Sequence, residues 1–326
     1  MVKCNETLAA FEGSVGWGDE ASCGVPKDST ALPTLANFGL VTNFSPEGYW
    51  TERTKRRGIG SQGITQNRQT NVVGGFSVEY AAIDSLLQAR LLKAFGSSGA
   101  LDDHLDTFFV EAALKRASAT VQQQRFLYNM AKIASMEIAL SMDEPIMVTE
   151  SAIAQYVRKS TTKAYPAVVD ETLATIMAAV TIGADPIDIT EDMLMYYDGD
   201  AILVEDPSGT PVDVQLDGVQ DMTLSINRNT EQRRGIKRGL KGRMAYEMAE
   251  KVRDIELSLT KDFQDAEEYE RMTSSEEFNF KFDVGTTRIT LVGGQWEGTP
   301  PAMAEEDLIS ESLTAIFKGA TYATIP

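Results

Sequence analysis

Residues 135–142, SMEIALSM, alternate without a break. Met136, Ile138, Leu140 and Met142 fall on one side, and Ser135, Glu137, Ala139 and Ser141 on the other. A repeat of two puts successive side chains on opposite faces of an extended chain, so the segment reads as a half-buried strand and not as a helix. Asp143-Glu144-Pro145 turns the chain, and 146–157 follows as the partner strand of a β-hairpin. The same period recurs at 72–80, 221–227, 251–263 and 308–318, and shorter strands are predicted at 37–45, 107–112, 201–205, 210–216, 278–282 and 287–292. The period changes at 83–95, where Ile83, Leu86, Leu87, Leu91, Ala94 and Phe95 are three or four apart and Gly96 ends the run. That is an amphipathic helix with a C-terminal glycine. A second helix is predicted over 166–182 behind Asp170, and a short one around Ala266 and Tyr269. Strands outnumber helices and do not alternate with them, no repeat stands out, and no linker splits the chain. The expectation is a single domain over 1–326, mainly β: an antiparallel β-sandwich or barrel with a flanking α-helix and short helical insertions.

Charge narrows the function. The 30 Lys and Arg against 48 Asp and Glu give 30 − 48 = −18. Binding nucleic acid through its phosphates needs a basic face, which argues against a general nucleic-acid binder. It does not argue against a protein past which nucleic acid must slide without sticking. The longest apolar run, 173–180, is far short of the ~20 residues of a membrane helix, and the first residues do not read as a secretion signal. Synthesis in the cytoplasm without membrane insertion is expected. Cys4 and Cys23 are too few for a disulfide framework, and His104, the one histidine, lies in LDDHLD with no G-x-S-x-G elbow to serve. Gly58-Ile-Gly-Ser-Gln-Gly63 has the form G-x-G-x-x-G, but neither flank supplies the strand and helix that a dinucleotide site requires. The acidic stretch 184–192 lacks the glycine and twelfth-position glutamate of an EF-hand loop. No catalytic residue, cofactor or metal ligand is therefore assigned, and no enzyme is expected. A pair of carboxylates in a hydrolase cleft is the enzymatic alternative, and no spacing marks one out.

Two stretches carry no hydrophobic period. Residues 46–71, rich in Gly, Gln, Asn, Thr and Arg, read as a loop too long for a simple connection. Residues 228–243, RNTEQRRGIKRGLKGR, read as a basic solvated loop in an acidic chain.

The order of these pieces resembles the tail tube (major tail) proteins of long-tailed bacterial and archaeal viruses. GSVGWGDEASCGVP with FGLVTNFSPEG is similar to the family's N-terminal stretch. RGIGSQG leads into GGFSVEYAAID as the family's long loop leads into a strand and a helix, and SMEIALSMDEPIMVTESAIA resembles its central paired strands. MTLSINRNTEQRRGI followed by KVRDIELSLTKDFQDAEEYERM is the most specific match, and GGQWEGTPPAMAEEDLISESLTAIFKG resembles the last loop and strand. The region 158–220 matches least, and a variable helical or loop insertion is expected at about 158–200. The resemblance implies a structural virion protein whose homo-hexameric rings stack into a tube for genome ejection. Its partners would be itself, other tail proteins, and the tape-measure protein and double-stranded DNA that pass through the lumen unbound. A tail terminator, a minor tail protein or the inner tube of a contractile injection device are the related alternatives. If 135–142 and 251–260 line the tube, Ser135, Glu137, Ser141, Glu256, Ser258 and Thr260 face the lumen, while Arg53, Lys55, Arg56 and Arg57 in the 46–71 loop touch the adjoining ring.

Overall fold

Period-two segments dominate the chain, and the fold is built from them. The computed structural model describes residues 13–22, 25–26, 35–46, 50–56, 66–96, 105–114, 124–169, 175–177, 179–184, 186, 189–205, 212–233, 247–262, 277–298 and 310–325. In chain order the strands are β1 (Ser14–Ser22), β2 (Val25–Pro26), β3 (Leu40–Ser45), β4 (Trp50–Arg56) and β5 (Gln66–Ala81). After helix α1 (Asp84–Phe95) come β6 (Phe108–Leu114), β7 (Gln124–Ser141) and β8 (Met147–Ser160). Short strands follow: β9 (Ala164–Tyr165), β10 (Val168–Val169), β11 (Thr175–Met177) and β12 (Val180–Thr181). Then come β13 (Gly199–Glu205), β14 (Val212–Gln215), β15 (Val219–Asn227), β16 (Glu231–Arg233) and β17 (Glu247–Ala249). The last five are β18 (Asp254–Asp262), β19 (Phe278–Val284), β20 (Thr287–Gly298), β21 (Ser310–Ile316) and β22 (Gly319–Thr324).

Sixteen of the strands form one large antiparallel sheet that curls, because its long strands change partners along their length, and β9 with β12, β10 with β11 and β16 with β17 form separate pairs. The N-terminal half of β7 pairs with β6 and the C-terminal half with β15, while β8 runs beside both halves. β20 pairs with β22 through Val292, with β19 as far as Gly294, and with β21 from Gln295 onward. At the switch Gly293 has φ 67°, and a Cβ on Gly294 would stand 2.3 Å from the Phe317 ring, so glycine is needed at both. The curl encloses a main apolar core running from Trp17 through Phe76, Tyr128, Ile138, Leu224, Leu257 and Phe280 to Ala320, and Leu35, Phe109, Leu127, Tyr165 and Ile182 form a second, smaller cluster. Helix α1 closes the main core with Leu87, Leu91, Ala94 and Phe95, and the Phe95 ring meets Tyr322 edge-on.

Four readings of the sequence need correction. Residues 228–233 are not a solvated loop, since Arg228 and Thr230 are buried and Glu231–Arg233 form β16. Residues 50–56 and 66–71 are not loop: β4 pairs with the first half of β5 as a two-stranded ribbon, with Arg53 opposite Gln69, Lys55 opposite Asn67 and Arg56 opposite Gln66. Their polar composition hid the strands, because this ribbon bonds only to itself among the described residues and needs no apolar alternation. Residues 166–182 are not a helix where they are described. Val168–Val169, Thr175–Met177 and Val180–Thr181 are short strands, in keeping with their β-branched residues. A final strand, β22, follows the one taken to be last. His104, both cysteines, the 58–63 glycine motif and the short helix expected around 266–269 lie outside the described residues.

Candidate functional site

The period of two that makes each strand half-buried is continued across the sheet by its register. Ser225 of β15 stands opposite Glu137 of β7 on one side and Glu256 of β18 on the other. The row extends outward through Thr149 of β8 to Glu79 of β5, and through Ile316 of β21 to Gln295 of β20. Seven strands at ~4.8 Å spacing make a continuous face about 29 Å wide. Above this row lie Ala139, Thr223, Ser258 and Thr314, and above them Ser141, Asp221, Thr260 and Ser312. The Ser258 and Thr314 hydroxyls are 3.5 Å apart.

The opposite side of the same strands is core. Met136, Ile138, Leu140, Ile255, Leu257 and Leu259 are all at most 3% exposed, as the alternation requires. A one-residue slip would exchange the faces, so the buried residues fix the outward set. Ser135, Glu137, Ser141, Glu256, Ser258 and Thr260 therefore share one outward face, with Glu137 and Glu256 exposed.

The electrostatics are one-sided. Across the C-terminal half of β7, β15, β18, β21 and Gln295–Glu297 of β20, the outward positions include Glu137, Asp221, Asp254, Glu256, Asp262 and Glu297 and no Lys or Arg. β18 does carry one cation, Lys261, but it points inward, where its Nζ lies 3.3 Å from Glu311 and both side chains are at most 5% exposed. At the lower border Asn229 donates to Asp254 at 2.8 Å, and at the upper border Gln220 donates to Asp262 at 2.7 Å. The surface is small, hydroxylated and acidic. Among the described residues of this face there is no Lys or Arg to anchor a phosphate.

The strand missing from the sequence-based set is β15. β7 and β18 do not touch there; β15 lies between them and supplies Asp221, Thr223 and Ser225. Its MTLSIN alternation carries the same signal, and so do Ser312 and Thr314 of β21. The second predicted set sits elsewhere. β5 is paired with β8 only from Gly74 to Ala81, and the β4–β5 ribbon continues from Gly74 away from the β7–β8 turn. Arg53, Lys55 and Arg56 lie on that ribbon, whose side chains, like the whole of Arg57, fall outside the described residues.

Residues 10–316 match the family described as phage tail tube protein. The chain belongs to that family. As a member it is a structural, β-rich component of a virion tail. Two solved structures are similar over part of it. One is a chain from the tail of an empty GTA particle refined with C6 symmetry, with 16% identity and a TM-score of 0.33 over 40% of this chain and 97% of that one. The other is from the six-fold symmetrised baseplate of the anti-feeding prophage, with 13% identity and a TM-score of 0.29 over 39% of this chain and 93% of that one. No curated protein matches the sequence.

Proposed function

We propose that this tail tube family member closes into hexameric rings, that the rings stack, and that the acidic face of β7, β15, β18 and β21 lines the conduit for genome ejection. The observation that carries the reading is that face itself: broad, smooth, continuous across seven strands, and without a cation on its central strands. A wall of this kind repels the phosphate backbone, so DNA and the tape-measure protein meet no site that would hold them. Ser135, Glu137, Ser141, Glu256, Ser258 and Thr260 are the lumen residues in this reading.

Unfinished pairing supports assembly. β3 and β14 each bond to a single strand among the described residues, and Leu40, Val212 and Val214 on them are exposed. Free edges of this kind are satisfied by pairing with an identical neighbour. The β4–β5 ribbon is likewise marginal as an isolated pair of strands, and a second ring gives it a surface. Arg53, Lys55, Arg56 and Arg57 make the inter-ring contact in this reading. The subunit is made in the host cytoplasm and ends in the virion tail.

Electron microscopy of the purified protein and of tails, carried to a reconstruction, tests this. We expect stacked six-fold rings with Glu137 and Glu256 turned to the lumen and the ribbon crossing to the adjoining ring. A protein that stays monomeric at high concentration and makes no tubes, or a tube with Glu137 and Glu256 on its outer wall, would overturn the assignment.

A further inference from the structure

A strap of five residues, 228–232, crosses the lower end of the sheet. β15 ends at Asn227, and the chain then steps over β7, β8 and β5 in turn. On β7 a bulge gives Ala134 no place in the β8 register, since Ile133 stands opposite Ala152 and Ser135 opposite Ser151. Arg228 N donates to the Ala134 carbonyl at 2.7 Å, and the Thr230 hydroxyl donates to the Ile133 carbonyl at 3.3 Å. Gln232 Nε2 then donates to the Ala154 carbonyl of β8 at 3.0 Å and to the Gly74 carbonyl of β5 at 3.4 Å. The strap is fixed at both ends. Arg228 is buried and bonded to the Ala94 carbonyl of α1, β16 pairs with β17, whose Met248 and Ala249 are buried, and Lys251 forms an ion pair with Glu231.

Gln232 reaches the point where the sheet forks. β5 pairs with β4 as far as Val73 and with β8 from Gly74 onward, so it changes partner between consecutive residues. Beyond Ala154, β8 runs on to Ser160 paired with β7 alone among the described residues. The last rung before the split is Gly74 opposite Ala154, and its two carbonyls are the ones Gln232 holds. An amide nitrogen carries two hydrogens, one for each carbonyl. Gly74 has to stay glycine: a Cβ there would stand 2.8 Å from Val157 Cγ2 and 3.1 Å from the Ala154 carbonyl oxygen. With Gly75 next to it, the backbone at the fork has few steric limits on the direction it takes. Two strands paired only with each other do not set that direction either. What reaches the fork from a fixed element is the Gln232 amide.

We propose that Gln232 is the positioning residue of the β4–β5 ribbon: its amide ties both arms of the fork to the strap and sets the direction in which the ribbon leaves the sheet. The inference rests on the reading in which that ribbon crosses to the adjoining ring, and it adds how the ribbon is aimed before the ring arrives. A segment already held in its contact direction loses less freedom on binding, so a subunit with this clamp adds to a tube at lower concentration than one without it. The strap begins at the end of β15. The same device therefore connects a strand of the proposed channel wall to the contact between rings.

Distances between paired spin labels in the unassembled subunit test this. One label goes on Thr54→Cys of β4 and the other on Ile316→Cys of β21, an exposed position, in a chain that also carries Cys4→Ser and Cys23→Ser. With Gln232 in place we expect one narrow distance. Gln232→Ala removes the donor, and Gln232→Glu keeps the shape but turns a carboxylate on the two carbonyls. Gln232 is only half-buried, so each variant should broaden the distribution with no change in circular dichroism. A distribution as narrow in both variants as in the parent, or a broad one in the parent, overturns the proposal, and neither result needs a ring to form. In assembly, both variants should form rings as the wild type does and raise the concentration at which tubes elongate about tenfold, as two lost hydrogen bonds would. A broadened distribution with unchanged elongation fails the inter-ring reading of the ribbon instead and leaves the clamp standing.

Discussion

Arg90 has no exposed surface, although it sits on a helix. Its Nε donates to Glu150 Oε1 at 3.0 Å and its Nη2 donates to Oε2, while the Tyr80 hydroxyl donates to Oε1. The guanidinium lies 4.5–4.7 Å from the ring centroids of Trp17, Phe38 and Phe108, so the cation is held by one carboxylate and three aromatic faces. Burial works to lower its pKa, but the paired Glu150 raises it overall, and burial with the Glu150 charge holds the Tyr80 hydroxyl well above its ordinary value. The same device recurs where Glu111 accepts from Arg125 at 2.9 Å and from the Tyr165 hydroxyl at 2.6 Å. An ion pair of this kind fixes geometry more than it stabilises, but breaking one half leaves a bare charge in the core. Arg90→Met should therefore cost ~3–5 kcal/mol. Adding Glu150→Gln, which keeps an acceptor for Tyr80, should return ~1–3 kcal/mol of that loss. Urea midpoints of the unassembled subunit measure both. Nothing in QARLLKAF announces this role, because a helical arginine three residues from Leu87 reads as surface until the aromatic faces are placed around it.

The helix carrying Arg90 is clamped at both ends. Asp84 in its first turn accepts from Thr286 N at 2.9 Å and from the Thr286 hydroxyl at 2.7 Å, in the β19–β20 turn. At the other end Arg228, 1% exposed, donates Nε to Ala94 O at 3.0 Å and Nη2 to Phe95 O at 3.1 Å, a cation on the terminal carbonyls of α1. Arg228→Ala should loosen the last turn of α1 and cost about 2 kcal/mol. Amide exchange of residues 92–96 should rise while that of β7 and β15 does not. Equal protection in α1 would show that packing alone holds the helix. What could be read from the sequence differs from element to element for physical reasons. The faces of 135–142, 251–260 and 310–316 were legible, because a strand between core and solvent must alternate. The β4–β5 ribbon was not, because among the described residues its strands there pair only with each other, and its polar sequence carries no period. Residues 166–182 misled: Ile176, Met177 and Val180 have helical spacing by accident, in strands of two or three residues that are too short to show their own period. Which strands lie side by side was beyond local reading. β15 comes between β7 and β18 through pairings that join residues far apart in the chain, from Asp221 with Ser141 on one side to Val219 with Lys261 on the other.

At the scale of the molecule, two opposed demands meet in one sheet. Its inner side must exclude water, and in the assembly we propose its outer side must keep water against passing DNA. The chain sorts its charges accordingly: Lys261 is turned inward onto Glu311, while Glu137 and Glu256 are left outward on either side of Ser225. This sorting makes the wall's sign open to change without disturbing the fold, since neither glutamate packs against the core. Glu137→Lys with Glu256→Lys moves the subunit from −18 to −14 (−18 + 2 × 2) and would put twelve lysines (2 × 6) in each six-membered ring. Both positions are exposed and on strands, so we expect rings and tubes to form as before, with stability changed by about 0.5 kcal/mol or less. Passage should change. Each phosphate neutralised by the wall releases counterions, so DNA should be retained by the variant tube at low salt and freed as salt rises, with a slope that grows with the number of contacts. Virions carrying the variant should eject their genome more slowly at low salt and at the normal rate at high salt. Measuring ejection across a salt series decides the matter: equal rates at every salt, from tubes of normal length, would mean that this face does not line the conduit.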